Sequence, residues 1–168
     1  MKTIFNNILA LLGGCIFGSA VNMGLIIAGN QLIPMADGMN PMDATMWEIK
    51  YFLFPFLAHA IGTLSGAFIA ARFSASYHMI LAICIGIFFL LGGISMVFIM
   101  PAPVWFIVAD LSLAYIPMGL FGWKLSGKKI TYPNSVPTLL GFIVCGIMGR
   151  FGDEPVKRER KYSSIYGN

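Results

Sequence analysis

Four long apolar segments occupy most of the first 125 residues and limit what the chain can fold into. They run over about 4–29, 51–73, 77–100 and 104–123. An α-helix needs about 20 apolar residues to cross a hydrocarbon core of about 30 Å, and each segment is long enough. A helix that is apolar on all sides is stable only where nothing around it is wet. The pattern therefore predicts an all-α membrane protein with a transmembrane domain of four helices over residues 1–125.

The composition supports this interpretation over that of a soluble domain. Of the 168 residues, 58% are hydrophobic and 11% are charged, whereas a soluble domain has about 25% charged residues. A chain of this length has too small an interior to hide so much apolar surface from water. The lipid bilayer is thus the first partner that the sequence predicts.

The connections between the last three segments are very short. Only Phe73–Ser76 separates the second segment from the third, and only Pro101–Pro103 separates the third from the fourth. Connections of this length force neighbouring helices to run in opposite directions. We therefore expect an antiparallel bundle of four transmembrane helices.

The basic residues near the helix ends predict the orientation of this bundle. One predicted side carries five of them, and the opposite side carries Lys50 among the acidic residues Asp37, Asp43 and Glu48. The five are Lys2, Arg72, Lys124, Lys128 and Lys129. Because cytoplasmic loops are rich in Lys and Arg, both termini are expected in the cytoplasm. Charges that flank apolar segments also argue against a nucleic-acid partner.

Residues 126–168 form a tail of different character. An apolar stretch over 136–148 precedes a basic cluster of Lys157, Arg158, Arg160 and Lys161. Thirteen residues are few for a membrane span, and such runs are more often interfacial, re-entrant or packed. A fifth span would also place the basic cluster outside, against the charge rule. We expect a cytoplasmic tail, and the sequence leaves open whether 136–148 spans, enters or lies on the membrane.

The N-terminus has a second interpretation, that of a lipoprotein signal with Cys15 as the lipidated residue. A cleaved signal has an apolar region of about 7–15 residues, but here the apolar run continues through Ile27. The sequence therefore favours an uncleaved transmembrane helix. Cys15, Cys84 and Cys145 each lie within an apolar stretch without CxxC spacing, which is typical of small buried hydrophobic residues.

Polar residues within the apolar segments are the candidates for function. Each helix contributes one of them: Asn22, His59, Ser95 and Asp110. At about 1.5 Å of rise per residue, all four are expected about 7–13 Å below the outer boundary of the bilayer. They could hydrogen-bond one another and hold the helices in register. Alternatively, His59 and Asp110 could form a proton-linked or ligand-binding site, since an intramembrane carboxylate is a functional hypothesis by default.

Small residues mark the faces where helices are expected to pack. Gly14 and Gly18 form a GxxxG motif, Gly62 and Gly66 repeat at the same spacing, and Gly119 lies in the fourth segment. Such residues let membrane helices approach closely. Pro117 is expected to kink the fourth helix near its middle, because proline lacks the N–H that continues the helix.

The loop over 30–48, between the first two apolar segments, is expected outside the cell. It contains Met35, Met39, Met42 and Met46. Thioethers are soft ligands suited to Cu(I), so this cluster could bind a soft metal. The same spacing also fits an apolar face in the membrane interface, with Trp47 as an anchor. The sequence favours the second interpretation and leaves the first open, and no cofactor is predicted.

Two stretches carry a resemblance to a known family: PFLAHAIGTLSGAF (Pro55–Phe68) and GGISMVFIMPAPVWFIVADLSLAYIPMGLFG (Gly92–Gly122). They resemble an uncharacterised family of small bacterial four-helix membrane proteins, with the likeness centred on His59, Trp105, Asp110, Tyr115 and Pro117. The resemblance covers about the first 125 residues and implies the bacterial inner membrane, with no assigned activity. The chain does not fit the small four-helix multidrug exporters, which use a glutamate in the first helix where this chain has Asn22.

Three functions remain open. No nucleotide-binding loop, HExxH motif or nucleophile elbow occurs in the sequence, which favours a protein that is not an enzyme. The leading hypothesis is an accessory or scaffold subunit of a larger membrane complex. The second is a small transporter or channel, working as a homo-oligomer, with its site at His59 and Asp110. The third is a membrane enzyme acting on a lipid or quinone, with His59 as its base.

Overall fold

Helices account for all of the regular secondary structure that we describe. The computed structural model describes residues 2–36 and 38–129. Two short 3-10 turns, Ala44–Met46 and Ile49–Phe52, lie between the first two helices. The α-helices are α1 (Lys2–Leu32), α2 (Leu53–Phe73), α3 (His78–Ile99), α4 (Val104–Leu113) and α5 (Ile116–Leu125). No β-strand occurs within the described residues. The tail prediction for residues 136–148 falls outside them.

Four helical stretches are long and apolar enough to cross a membrane, which confirms the prediction of four such segments. They are Lys2–Leu32, Ile49–Phe73, His78–Ile99 and Val104–Leu125. The predicted boundaries agree to within about three residues, which is the usual uncertainty of a helix end read from sequence. Helix α1 is the longest, and its 31 residues extend about 46 Å, more than a hydrocarbon core of about 30 Å requires.

The outer surface of the helices is strongly apolar. Large side chains such as Ile16, Phe88 and Val108 are 71%, 51% and 59% exposed. The buried positions are instead occupied largely by small residues, among them Ala58, Ala67, Ala70 and Ala82. Apolar side chains outside and small residues between the helices are the arrangement expected in lipid, where packing rather than water exclusion holds helices together.

Helices α1 and α2 approach most closely at their glycines. A methyl group on Gly14 would lie 2.6 Å from the Gly66 carbonyl oxygen, and one on Gly18 would lie 2.7 Å from the Gly62 carbonyl oxygen. Both distances are shorter than carbon–oxygen contact allows, so only glycine permits this separation. Gly119, the fifth predicted packing residue, faces α3, where a methyl group would lie 3.1 Å from the Ala82 carbonyl oxygen.

The fourth apolar segment is interrupted at Ala114 and Tyr115, between α4 and α5. Pro117 is the second residue of α5, and it has no N–H to donate to the Leu113 carbonyl. Proline is well tolerated in the first turn of a helix, so α5 begins cleanly there. The structure thus has a helix break at the position where the sequence predicts a kink.

The connections at the two ends of the bundle are held by specific hydrogen bonds. At one end, the Asn7 side chain accepts from the backbone N–H groups of Ala75 and Ser76 at 2.9 and 3.2 Å. At the other end, the N–H of Ala44 donates to the Pro101 carbonyl at 2.8 Å. The second bond joins the α1–α2 connection to the α3–α4 connection, beside the pocket described next.

Candidate functional site

His59 and Asp110 lie side by side between α2 and α4. The Nδ1 atom of His59 is 2.9 Å from Oδ1 and 3.0 Å from Oδ2 of Asp110. Asp110 is 4% exposed, and the His59 side chain is 23% exposed. The structure therefore brings together two of the four polar residues singled out in the sequence, with the carboxylate buried and the imidazole partly accessible.

One proton must lie between the imidazole and the carboxylate. Without it, the lone pair of Nδ1 would face a carboxylate lone pair at 2.9 Å, which is repulsive. A ring N–H that donates to a carboxylate is the usual arrangement of such a pair, so the proton is placed on Nδ1. His59 then donates to Asp110 through Nδ1, and Asp110 fixes both the tautomer and the orientation of the ring.

Tyr115 completes the cluster, although it is not one of the four polar residues that mark the predicted site in the sequence. Its hydroxyl donates to Oδ2 of Asp110 at 2.8 Å and lies 3.0 Å from Nδ1 of His59. Its ring stacks on the imidazole with centroids 5.7 Å apart, and the residue is 1% exposed. The tyrosine packs against Gly93 of α3, where an added methyl group would collide with the tyrosine hydroxyl. Both oxygens of Asp110 are thus occupied by partners from the chain.

The second ring nitrogen of His59, Nε2, is unpaired in the part of the chain that the structure describes. It makes no hydrogen bond within the described residues. It is also not among the buried unpartnered polar side-chain atoms of that part of the chain, which are Thr63 Oγ1 and Trp123 Nε1. Because Nδ1 holds the proton, Nε2 of the neutral ring is a hydrogen-bond acceptor. It is the one nitrogen of this cluster that can receive a group from outside.

A pocket leads to this cluster from the end of the bundle that carries the α1–α2 connection. Its volume is about 380 Å³, which lies at the low end of the range of about 300–1,000 Å³ for small-molecule sites. Its lining includes the polar side chains of Asn22, Asn30, His59 and Asp110, and that of Lys50 from the α1–α2 connection. Most of the lining is apolar, including Met23, Ile26, Phe54, Met96, Phe106 and Ile107. An apolar pocket with a few convergent polar groups is the usual form of a small-molecule site.

Asn22 belongs to the pocket but not to the hydrogen-bonded cluster. It lies against Gly62, which follows His59 by less than one turn of α2. A methyl group on Gly62 would be 2.9 Å from the Cβ of Asn22. Its amide makes no hydrogen bond to the described residues. The pocket thus has a second unpaired polar group close to the imidazole.

Ser95 does not join the other three residues. Its hydroxyl donates to the carbonyl of Leu91 at 2.8 Å, and the residue is exposed on the outer face of α3. Gly93, two positions earlier, faces the cluster instead. Positions two apart on a helix point in directions about 200° apart, so Ser95 points away from the cluster that Gly93 faces. Depth in the membrane alone therefore did not predict the position of Ser95.

The charged residues described at the rim of the pocket and along the adjoining connection all have partners. Lys50 pairs with Glu48 at 2.9 Å, and its ammonium lies 5.0 Å from the centre of the Tyr51 ring. Farther along the same connection, Asp43 accepts from the side chain and the N–H of Thr45 at 2.6 and 3.0 Å. These hydrogen bonds lower the pKa of the Asp43 carboxyl below its ordinary value, because they stabilise the charged form.

The methionines of the α1–α2 connection have different environments. Met35 lines the pocket, whereas Met42 and Met46 are 58% and 85% exposed. Residues 2–36 and 38–129 contain no group of three or more His, Cys, Asp or Glu side chains that could hold a metal ion. Copper binding by Met35, Met39, Met42 and Met46 stays a prediction from the sequence.

Comparison of the chain with known protein families, curated proteins and solved structures finds no match. The geometry of the pocket and of the cluster at its base is therefore the basis for assigning a function.

Proposed function

We propose that this protein is a small proton-linked membrane transporter whose substrate binds in the pocket at His59. The observation that carries the proposal is the pocket itself, which reaches from one end of the bundle to the imidazole of a His–Asp pair. A scaffold subunit needs polar groups that are fully satisfied within a dry interior. Here Nε2 of His59 and the amide of Asn22 are unpaired and accessible, as a binding site requires.

The chemistry of the pair suits the movement of protons. Histidine is the side chain whose ordinary pKa lies closest to neutral pH. Protonation of Nε2 turns the acceptor into a donor and gives the ring a positive charge, which the Asp110 carboxylate at 2.9 Å balances. A substrate that hydrogen-bonds to Nε2 therefore competes with a proton for the same atom. This competition is a direct way to couple binding to proton movement.

The helix break beside Asp110 supports a transport function as well. Transporters commonly place their substrate sites at discontinuous transmembrane helices, where irregular backbone lines a cavity. In this chain α4 ends at Leu113 and α5 begins at Ile116. The break between them includes Tyr115 of the cluster and lies about one turn after Asp110. The break therefore places Tyr115 of the cluster at the junction between two helices.

The proposal includes an orientation in the membrane. The connections Ser74–Tyr77 and Met100–Pro103 are four residues each, which favours antiparallel neighbours. The distribution of Lys and Arg supports a cytoplasmic location for both termini and the tail, and the family resemblance of the sequence implies the inner membrane of a bacterium. The pocket then opens to the outside of the cell, because it lies at the end with the α1–α2 connection.

An accessory subunit of a larger assembly is the second candidate function. Gly13 and Gly24 on α1 have no atom within 4 Å of a methyl group placed on either. Eleven residues apart, they share one outward face of the helix, and small residues on such a face permit close approach by another helix. If the protein is a transporter, we expect a second copy of the chain to cover this face. If it is an accessory subunit, we expect a different protein there. Purification in a mild detergent distinguishes the two.

The transport function is tested in proteoliposomes that carry a pH-sensitive dye in the lumen. After a pH gradient is imposed, aromatic compounds small enough for the pocket are added one at a time. We expect at least one to change the rate of gradient decay with the wild-type protein but not with Asp110→Asn or His59→Gln. Ser95→Ala serves as the matched control, since it removes a polar group on the outer face. A wild-type protein that behaves like protein-free vesicles with every compound would refute the proposal.

A further inference from the structure

The polar groups at the base of the pocket define the chemistry of the molecule that it binds. Resting on the transport function proposed above, we infer that the substrate is an uncharged, largely apolar molecule with one hydroxyl group, and that this hydroxyl binds between His59 Nε2 and the amide of Asn22. The inference depends on which atoms at the base are free and which already have partners.

The carboxylate of Asp110 is not available to a cation. Oδ1 accepts from Nδ1 of His59 at 2.9 Å, and Oδ2 accepts from the Tyr115 hydroxyl at 2.8 Å. Each oxygen thus already has a donor from the chain, and the residue is only 4% exposed, which leaves little of the carboxylate for a substrate ammonium group. The charge of Asp110 is therefore used within the protein, to fix the imidazole and the tyrosine.

The described residues that line the pocket offer an anion no free basic group either. Among the lining residues, the ammonium of Lys50 pairs with Glu48 near the rim. His59 in its neutral form offers an acceptor at Nε2, which would repel a carboxylate. An isolated charge in so apolar a pocket would lose its hydration without compensation, at a cost far above that of a neutral polar group. An uncharged substrate fits these surroundings.

A hydroxyl group matches the two unpaired groups beside the His–Asp pair. It is both a donor and an acceptor, so its proton can go to Nε2 of His59 while its oxygen accepts from the amide of Asn22. The two residues lie near each other, since Asn22 packs against Gly62, less than one turn from His59 on α2. The apolar body of the molecule then lies against the thioethers and aromatic rings of the lining, including Met23, Phe54, Met96 and Phe106. Methionine adapts its shape readily, which suits a mobile substrate.

The test uses three probes of matched shape: para-ethylphenol, ethylbenzene and para-ethylphenyltrimethylammonium. The purified protein is labelled with 15N at histidine, and the Nε2 resonance of His59 is followed as each probe is added. The chain has two histidines, so His78 reports non-specific effects in the same spectrum. Fluorescence of Trp47, which lines the pocket, is measured in a Trp105→Phe, Trp123→Phe background and reports occupancy by any of the three probes.

We expect para-ethylphenol to shift the His59 Nε2 resonance saturably and to bind about ten-fold more tightly than ethylbenzene, the change that one hydrogen bond of ordinary strength provides. Asn22→Leu should reduce that preference, and Ser95→Ala should leave it unchanged. Fluorescence then separates the two ways to fail. If the ammonium probe or ethylbenzene fills the pocket as well as the phenol does, the substrate class is wrong and the pocket remains a binding site. If no probe changes either signal, the proposed function fails as well.

Discussion

The Nδ1 atom of His59 lies 2.9 Å from Oδ1 of Asp110, although the two residues are 51 positions apart and on different helices. This contact orients the ring so that its other nitrogen remains without a partner at the base of a pocket. The pair is thus both a structural link between α2 and α4 and a site that presents an imidazole to a ligand.

The hydroxyl of Tyr115 should contribute measurably to stability. It donates to the buried carboxylate of Asp110 at 2.8 Å, and hydrogen bonds to charged groups contribute about 1.5–3 kcal/mol. Tyr115→Phe keeps the ring that packs against Gly93 and removes only this donor. We expect the free energy of unfolding in detergent to fall by about that amount. Tyr77→Phe is the control, because Tyr77 is 38% exposed and should change stability by less than about 0.5 kcal/mol.

Two adjacent glycines of α1 should respond oppositely to the same substitution. A methyl group on Gly14 would lie 2.6 Å from the Gly66 carbonyl oxygen, whereas one on Gly13 would meet nothing within 4 Å. Gly14→Ala must push α1 away from α2, and overpacking of this kind costs about 1–3 kcal/mol. In the detergent-dispersed monomer, Gly13→Ala should be neutral or stabilising by up to about 1 kcal/mol, because alanine favours the helix. Equal stabilities of the two variants in denaturant titrations would show that the close approach of α1 and α2 is wrong.

The carboxyl of Asp43 should titrate below its ordinary pKa. Its largest stabilising contact is the hydrogen bond from the Thr45 side chain, followed by that from the Thr45 N–H. Since the pKa is lower in the folded protein than in the unfolded chain, the stabilisation is present above the unfolded pKa and is lost as pH falls through the folded one. Thr45→Val should raise the pKa of Asp43, and Thr45→Ser should preserve it. Carbon NMR of labelled aspartate carboxyls across the acidic range provides the measurement.

The proposed orientation predicts opposite labelling of two reporter cysteines. In a background without Cys15, Cys84 and Cys145, Met42→Cys should react with a membrane-impermeant thiol reagent in intact cells. Lys129→Cys should react only after the membrane is permeabilised. The reverse pattern would invert the topology and would place the mouth of the pocket in the cytoplasm.

The sequence was sufficient to predict the helices, because the cost of placing polar backbone and side chains in lipid leaves few alternatives. It also identified His59 and Asp110, since both are polar residues in apolar segments. Their contact needed the structure, because depth in the membrane says nothing about which way a side chain points around its helix. Ser95 illustrates this limit: it has a suitable depth but lies on the outer face of α3.

Tyr115 escaped prediction for a related reason. In a continuous helix, residues five positions apart point about 140° away from each other, so Asp110 and Tyr115 would not be expected to meet. The break at Ala114 and Tyr115 changes this direction and brings the hydroxyl back to the carboxylate. The position of Tyr115 just before Pro117 is the sequence signal for this contact. Proline interrupts the helix, so the angular spacing of a continuous helix does not hold there.

The account depends most directly on the pocket being open to water within the membrane as far as His59. Pairs of neighbouring positions test this in the cysteine-free background: Ile26 and Ile107 line the pocket, whereas Ile27 and Val108 are 51% and 59% exposed on the outer surface. Each is replaced by cysteine, and the rate of reaction with an impermeant thiol reagent is measured in a bilayer. We predict rates at Ile26→Cys and Ile107→Cys that are at least about ten-fold higher than those at Ile27→Cys and Val108→Cys. Equal rates within each pair would contradict a hydrated pocket and the transport function with it.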